Sequence, residues 1–123
     1  MKSQVEDLVL RFQPPWNAHD VDGIMRLMTG DCVWEFTGGP EPAGRVFKGA
    51  AAVREAIASR FATVPDIRYE FIRQYPADSH STVELTVSGS DPKSGKFRYQ
   101  VCDILEIRDD RISVKRSYRK SMA

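Results

Sequence analysis

Residues 96–108 read KFRYQVCDILEIR, and their side chains alternate between apolar and polar as expected for one long β-strand. Successive side chains of a strand point to opposite faces of the sheet, so every second residue shares a face. One face carries Phe97, Tyr99, Val101, Asp103, Leu105 and Ile107. Burying a carboxylate on such a face is costly unless it is paired, hydrogen-bonded, protonated or placed in a cavity. Asp103 is therefore the first candidate for a functional group.

Composition and charge favour one globular domain. The chain has 123 residues, of which 41% are hydrophobic, so we expect a single domain over residues 1–123 with its own core. The 18 Lys and Arg residues nearly balance the 17 Asp and Glu residues, which leaves no global field to attract nucleic acid or an anionic membrane. We interpret the basic residues from Lys115 to Lys120 as a solvated strand end and expect no nucleic-acid partner.

The cysteines and the N-terminus indicate the compartment. Cys32 and Cys102 both fall within predicted strands, and the chain has no Cys-x-x-Cys or histidine-rich set, so neither a disulfide framework nor a metal site is expected. Charged side chains interrupt residues 1–11, so this segment lacks the continuous apolar core of a signal peptide. No later segment is apolar enough to cross a bilayer. We expect a soluble, cytoplasmic protein without a membrane partner.

Three helices are predicted. Apolar residues recur at helical spacing over Ser3–Phe12, and the prolines Pro14 and Pro15 are expected to end or kink this helix. Asp20 is placed as the N-cap of a second, short helix. An alanine-rich third helix spans Ala50–Ala62.

Strand-like alternation occupies most of the remaining chain. The predicted strands are residues 32–36, Ile67–Tyr75, Ser79–Ser90, Lys96–Arg108 and Arg111–Arg119. The connections between the last four strands are short, which demands a mostly antiparallel sheet. Helices packed on one face of such a sheet give an α+β fold.

Four segments together resemble a known family. They are WNAHDVDGI at residues 16–24, FKG at 47–49, VR at 53–54 and DILEIRDDRI at 103–112. In this order and at these separations, they resemble the SnoaL-like, polyketide cyclase-like family of the nuclear transport factor 2-like superfamily. The resemblance covers nearly the whole chain.

The resemblance implies a cone-shaped α+β barrel, in which a curved and mostly antiparallel sheet wraps on about three N-terminal helices. It also implies a blind pocket for a small hydrophobic molecule and a homodimer formed through the outer face of the sheet. The superfamily includes a ketosteroid isomerase, polyketide cyclases, a limonene epoxide hydrolase and scytalone dehydratase, beside proteins that only bind or assemble. Because one fold hosts several functions, the residues of the site must decide between them.

Two of the family chemistries lack their residues in this chain. The tyrosine and the aspartate base of the ketosteroid isomerase pattern fall on Phe12 and Phe36, which can neither donate a hydrogen bond nor take a proton. The Arg-x-Asp pair of the epoxide hydrolases is replaced by Val101-Cys102-Asp103. Of both sets only Asp103 remains, so neither reaction is expected in its familiar form.

The cyclase chemistry is the least contradicted. Polyketide cyclases use an aspartate in this region as the acid/base of an intramolecular aldol closure, which a single carboxyl group could support. We therefore predict a pocket for a small hydrophobic carbonyl compound, with Asp103 as general acid/base of a cyclase, isomerase or dehydratase type of reaction and no cofactor or metal. The alternatives are a non-catalytic ligand-binding protein and a dimeric assembly domain of the same fold.

The last strand leaves the partner of Asp103 open. One face of this strand carries Ile112, Val114, Arg116 and Tyr118, and the other carries Ser113, Lys115, Ser117 and Arg119. Apolar content favours the first face as the core, whereas the family resemblance favours the second, which would bring Lys115 close enough to keep Asp103 ionised. The candidate substrate-binding residues are Phe12, Trp16, Trp34, Phe36, Tyr99, Val101, Lys115 and Ser117.

Overall fold

A computed structural model describes residues 1–120 as three helices and six strands. In chain order these are α1 (Lys2–Asn17), α2 (Val21–Arg26), β1 (Met28–Glu35), β2 (Val46–Lys48), α3 (Ala50–Thr63), β3 (Arg68–Pro76), β4 (His80–Asp91), β5 (Gly95–Arg108) and β6 (Arg111–Arg119).

The six strands form one curved sheet in the order β2-β1-β6-β5-β4-β3. Every neighbouring pair is antiparallel except β1 and β6, which run parallel. Apolar side chains of all three helices join those of the inner sheet face in one core, because each element buries a single apolar side. The predicted α+β class, with a curved and mostly antiparallel sheet on N-terminal helices, is confirmed.

Helix α1 continues through its two prolines instead of ending at them. Pro14 and Pro15 lack the N–H groups that would bond to the preceding turn, yet the helix runs on to Asn17. The backbone N–H of Ala18 donates to the carbonyl of Pro14 at 3.0 Å, which closes the last turn. This turn places the buried Trp16 against the sheet.

The end of α1 is fixed to the sheet and to α2. The Asn17 side chain donates to the backbone carbonyl of Tyr69 and accepts from its N–H, both at 2.7 Å. Asp20 caps α2 as predicted, since its carboxylate accepts from the N–H of Gly23 at 3.0 Å. These contacts hold Trp16 beside strand β3, where Tyr69 lies.

Strand β2 was not predicted, because three residues are too few to display an alternation. It pairs with β1 at the edge of the sheet, with Phe47 opposite Trp34. Gly49 then enters α3 with a φ of 91°, a left-handed conformation that favours glycine, and its N–H donates to the carbonyl of Cys32 at 2.8 Å. The contact holds the start of α3 against β1.

Neither a membrane-spanning helix nor a cluster of metal-binding side chains occurs within residues 1–120. None of the helices in this range has the length and apolar character needed to cross a membrane. Within the same range, no three histidine, cysteine, aspartate or glutamate side chains cluster closely enough to hold a metal ion.

Candidate functional site

A narrow cavity lies between α1, α3 and the inner face of the sheet. Its volume is about 30 Å³. Aromatic and aliphatic side chains form most of its wall, and a few polar groups converge on it. The lining residues are Trp16, Trp34, Phe36, Thr37, Arg60, Ile67, Tyr69, Leu85, Val87, Tyr99, Val101, Asp103, Lys115 and Ser117.

A buried ion pair occupies one wall of this cavity. The Nζ of Lys115 lies 2.7 Å from Oδ2 of Asp103, and the two side chains are only 8% and 6% exposed. Lys115 also donates to the hydroxyl of Ser117 at 3.3 Å. In the antiparallel pairing of β5 with β6, Ser117 is directly opposite Asp103 and Lys115 is opposite Leu105, so the ion pair is diagonal. Each buried charge is thus compensated by the other.

An irregularity in β6 explains why Ile112 and Lys115 both point inward. Ile112 is opposite Ile107, but Val114 is opposite Glu106, so Ser113 is an extra residue on β6. The Ser113 hydroxyl donates to the carbonyl of Glu106 at 3.1 Å, across this bulge. The bulge shifts the alternation by one residue. The inner face of β6 therefore carries Ile112, which belongs to the first predicted face, together with Lys115 and Ser117, which belong to the second.

Aromatic rings surround the ammonium group. The Nζ of Lys115 lies 4.9 Å from the ring centroid of Trp16 and 5.8 Å from that of Trp34, within the range of cation–π attraction. Trp16 contacts Trp34 edge to face at 5.9 Å and Tyr69 at 5.3 Å. This packing fixes the orientation of both indole rings.

Three buried polar atoms on residues that line the cavity have no hydrogen-bond partner among residues 1–120. They are Nε1 of Trp16, Nε1 of Trp34 and Oδ1 of Asp103. Buried polar atoms are nearly always hydrogen-bonded, because leaving one unpaired costs about 1–3 kcal/mol. Two N–H donors and one carboxylate acceptor on the wall residues of one cavity are suited to a ligand that has both an acceptor and a donor or acidic hydrogen.

The nine residues predicted for the site lie together. Eight of them line the cavity, and Phe12 lines an adjoining void of about 10 Å³ that Asp103 and Lys115 also border. Phe12 is 2% exposed and packs on Trp16, with ring centroids 5.7 Å apart, so it supports the wall from behind.

Six lining residues were not predicted, and two of them, Tyr69 and Arg60, carry ionisable groups. Burial, opposed in part by Arg60 and reinforced by Asp103, raises the pKa of the Tyr69 hydroxyl well above its usual value, so this side chain remains a neutral phenol. The side chain of Arg60 packs over the rings of Phe36 and Phe97, at 5.4 and 5.6 Å. The spacing of apolar residues gave a signal for both. Tyr69 follows Ile67 by two residues in the predicted strand Ile67–Tyr75, and Arg60 follows Ile57 by three residues on α3.

Solved structures of similar fold span nearly the whole chain. A protein of the nuclear transport factor 2-like type from Mesorhizobium loti is 22% identical, with 98% of this chain and 93% of that one covered and a TM-score of 0.80. Bal32a, from a soil-derived mobile gene cassette, is 14% identical, with 98% and 92% covered and a TM-score of 0.85. An epoxide hydrolase of the LEH-like type from M. tuberculosis is 19% identical, with 97% and 84% covered and a TM-score of 0.78.

At these identities the similarity establishes the fold and leaves the reaction open. No curated protein matches the sequence. The family comparison is more direct, because residues 9–114 match the SnoaL-like domain, including the strands that carry Asp103 and most of the cavity. The chain therefore belongs to the SnoaL-like domain family, as its sequence motifs predicted.

Proposed function

We propose that the cavity binds a small hydrophobic carbonyl compound and that Asp103 acts on it as a general acid/base without a cofactor. The observation that carries this proposal is the free Oδ1 of Asp103. Oδ2 is held by Lys115, whereas Oδ1 is buried without a hydrogen-bond partner among residues 1–120, on a residue that lines the cavity. An oriented carboxylate with one uncommitted oxygen is suited to taking a proton from a bound molecule.

The proposed first step is removal of a proton from the carbon next to the carbonyl group. The proton moves to Oδ1 of Asp103, and the electron pair of the broken C–H bond becomes an enolate whose negative charge lies on the carbonyl oxygen. Lys115 has three N–H donors and uses two of them on Asp103 and Ser117. Its charge and the indole N–H groups of Trp16 and Trp34 are available to stabilise the enolate oxygen.

Isomerisation, ring closure and elimination all begin with this step. In an isomerisation, Asp103 returns the proton to another carbon. In a cyclisation, the enolate carbon attacks a second carbonyl group of the same molecule, and the alkoxide oxygen that forms takes the proton from Asp103. In an elimination, the carbonyl group re-forms as the bond between the β-carbon and a leaving group breaks, and the leaving group departs with the proton from Asp103. The proposal is therefore limited to an isomerase, cyclase or dehydratase type of reaction.

The size of the cavity sets a condition on binding. A volume of about 30 Å³ has room for about two water molecules. A carbonyl compound is larger, so side chains of the wall must move when it binds. Phe36 and Arg60 are suited to this movement, because both also line an outer cleft that is open to solvent.

Exchange of α-hydrogens for deuterium tests the proposed step directly. The probe is cyclohexanone in D₂O at neutral pH, with mass spectrometry as the measurement. We expect the protein to accelerate the exchange and the Asp103→Asn variant to reduce this acceleration by about 10²- to 10⁴-fold. Asparagine keeps an oxygen that can accept from Lys115 but cannot take the proton.

The matched control is Asp110→Asn. Asp110 is exposed in the turn between β5 and β6 and has a φ of 58°, a conformation that asparagine tolerates. This variant should exchange as fast as the unmodified protein. If cyclohexanone binds and its mass stays unchanged, the pocket belongs to a non-catalytic binding protein. Unchanged exchange in Asp103→Asn would remove the role proposed for this residue.

We further propose a homodimer formed through the outer face of the sheet. Ile72, Tyr75 and Tyr118 are large hydrophobic residues exposed on the strands of this face, at 38%, 57% and 55%. Exposed apolar side chains grouped on one face are typical of an interface. Light scattering should give twice the chain mass for the unmodified protein and the chain mass for Ile72→Glu. A monomer in both cases would contradict the dimer while leaving the exchange experiment unaffected.

A further inference from the structure

A second cleft lies directly outside the cavity, between α3 and the edge strand β2. Its volume is about 170 Å³. Residues 56, 59, 60 and 63 line it from α3, and this spacing of three and four puts them on one side of the helix. Arg45 and Phe47 line it from the opposite side, at the start of β2.

The polar groups of this outer cleft are cationic or neutral. Arg45 and Arg60 contribute guanidinium groups, Ser59 and Thr63 contribute hydroxyl groups, and none of the lining residues is acidic. Guanidinium groups bind carboxylate and phosphate oxygens through paired hydrogen bonds, and hydroxyl groups can donate further ones. The chemistry of the cleft therefore matches an anion.

The charge of Arg45 is not neutralised by the protein. Among residues 1–120, Arg45 makes no ion pair within 4 Å, and its guanidinium carbon lies 5.8 Å from the ring centroid of Phe47. The backbone of Arg45 is fixed, because its carbonyl accepts from Phe36 and its N–H donates to Gly38, both at 2.8 Å. The side chain of Arg45 is therefore free to contact a ligand, while its backbone is held in place.

The guanidinium group of Arg60 is only weakly paired with its acidic neighbour, Asp91. Its Nη1 lies 3.8 Å from Oδ2 of Asp91, which is too long for a hydrogen bond. The other carboxylate oxygen of Asp91 accepts from the backbone N–H groups of Lys93 and Ser94, at 2.8 and 3.2 Å, and so belongs to the turn after β4. Arg60 therefore keeps donors for an anion in the cleft.

The outer cleft and the inner cavity share part of their walls, namely Trp34, Phe36 and Arg60. We propose that the outer cleft binds a carboxylate or phosphate group of the same molecule whose carbonyl end reaches Asp103. The substrate class is then an anionic aromatic or alicyclic carbonyl compound. This inference rests on the proposed function for the carbonyl end, whereas the anion site stands on the outer cleft alone.

Binding of three probes tests the anion site on the full chain. Benzoate and phenyl phosphate carry the two candidate anions, and benzyl alcohol is the neutral counterpart. Calorimetric titration at low ionic strength should give at least one anion a dissociation constant roughly tenfold lower than that of benzyl alcohol. The better anion identifies the group that the site prefers, and shifts of the Trp34 indole resonance in NMR spectra locate the binding.

Arg45→Gln is the decisive variant, because Arg45 lines the outer cleft and lies outside the inner cavity. It should weaken binding of the preferred anion about threefold or more and leave benzyl alcohol unchanged. Arg111→Gln makes the same change of net charge at the exposed first residue of β6 and should leave binding of all three probes unchanged.

Three results would overturn the anion site: no binding of either anion up to about 10 mM, no preference over benzyl alcohol, or a preference that Arg45→Gln retains. Exchange of the neutral cyclohexanone is measured separately. This exchange is measured on the unmodified protein and needs no anion, so failure of the anion site and failure of the role of Asp103 give different results.

Discussion

Lys115 and Asp103 form an ion pair of 2.7 Å on adjacent strands with both side chains almost fully buried. A buried pair of this kind contributes little net stability, because desolvation of both charges offsets their attraction. Removing one partner is different, since the other charge is then left buried alone. The ion pair therefore fixes the positions of the Asp103 and Lys115 side chains in the site, and it adds little to the free energy of unfolding.

Lys115→Met should destabilise the protein by about 3–5 kcal/mol, because it leaves the Asp103 carboxylate without its counter-ion. The measurement is urea-induced unfolding at neutral pH. The double variant Asp103→Leu with Lys115→Met replaces both charges by apolar side chains and should recover most of this loss. A single variant that costs less than about 1 kcal/mol would mean that water reaches Asp103 and solvates it.

The sequence predicted the face of Asp103 but left the face of Lys115 open, and the bulge is the reason. Strand β5 pairs with β4 residue by residue from Gly95 to Glu106, so its alternation in sequence is also its alternation in space. In β6 the extra residue Ser113 shifts the alternation by one. A bulge depends on pairing with neighbouring strands, and no pattern within one strand encodes that pairing.

The outer cleft was beyond prediction for a similar reason. It joins Arg45, beside an edge strand of three residues, to Arg60 on a helix that begins after that strand. The proximity of these two side chains depends on the pairing of β2 with β1 and on the packing of α3. Asp103 could be found because it contradicts a strong local pattern, whereas an arginine on a helix or a loop contradicts none.

Gly89→Ala should destabilise the fold by about 1–3 kcal/mol, the usual range for overpacking of a core. A Cβ atom at this position of β4 would lie 2.6 Å from a methyl carbon of Val64 and 3.1 Å from the ring of Phe97. The matched control is Gly30→Ala in β1, where no atom lies within 4 Å of the new Cβ. Equal unfolding midpoints in urea for the two variants would contradict this close packing beside the cavity.

Acid should destabilise the protein partly through Asp66. Its carboxylate accepts from the backbone N–H of Ser90 at 2.9 Å, and this hydrogen bond lowers the pKa of Asp66 below its usual value of 3.8. A carboxyl group with a lowered pKa in the folded state stabilises the fold above pH 3.8, and its contribution is lost as the pH falls through the lowered pKa. The unfolding midpoint in urea should therefore fall as the pH decreases below about 4.

Asp66→Asn isolates this contribution. The variant keeps an oxygen for the N–H of Ser90 but carries no charge, so it should be less stable than the unmodified protein at neutral pH and lose less stability on acidification. Asp110→Asn removes an exposed carboxylate whose side chain makes no hydrogen bond within residues 1–120, and its pH dependence should match that of the unmodified protein. The side chain of Asp66 connects the segment before β3 to the end of β4. If the stability of Asp66→Asn depended on pH in the same way as that of the unmodified protein, this connection would open without affecting global unfolding.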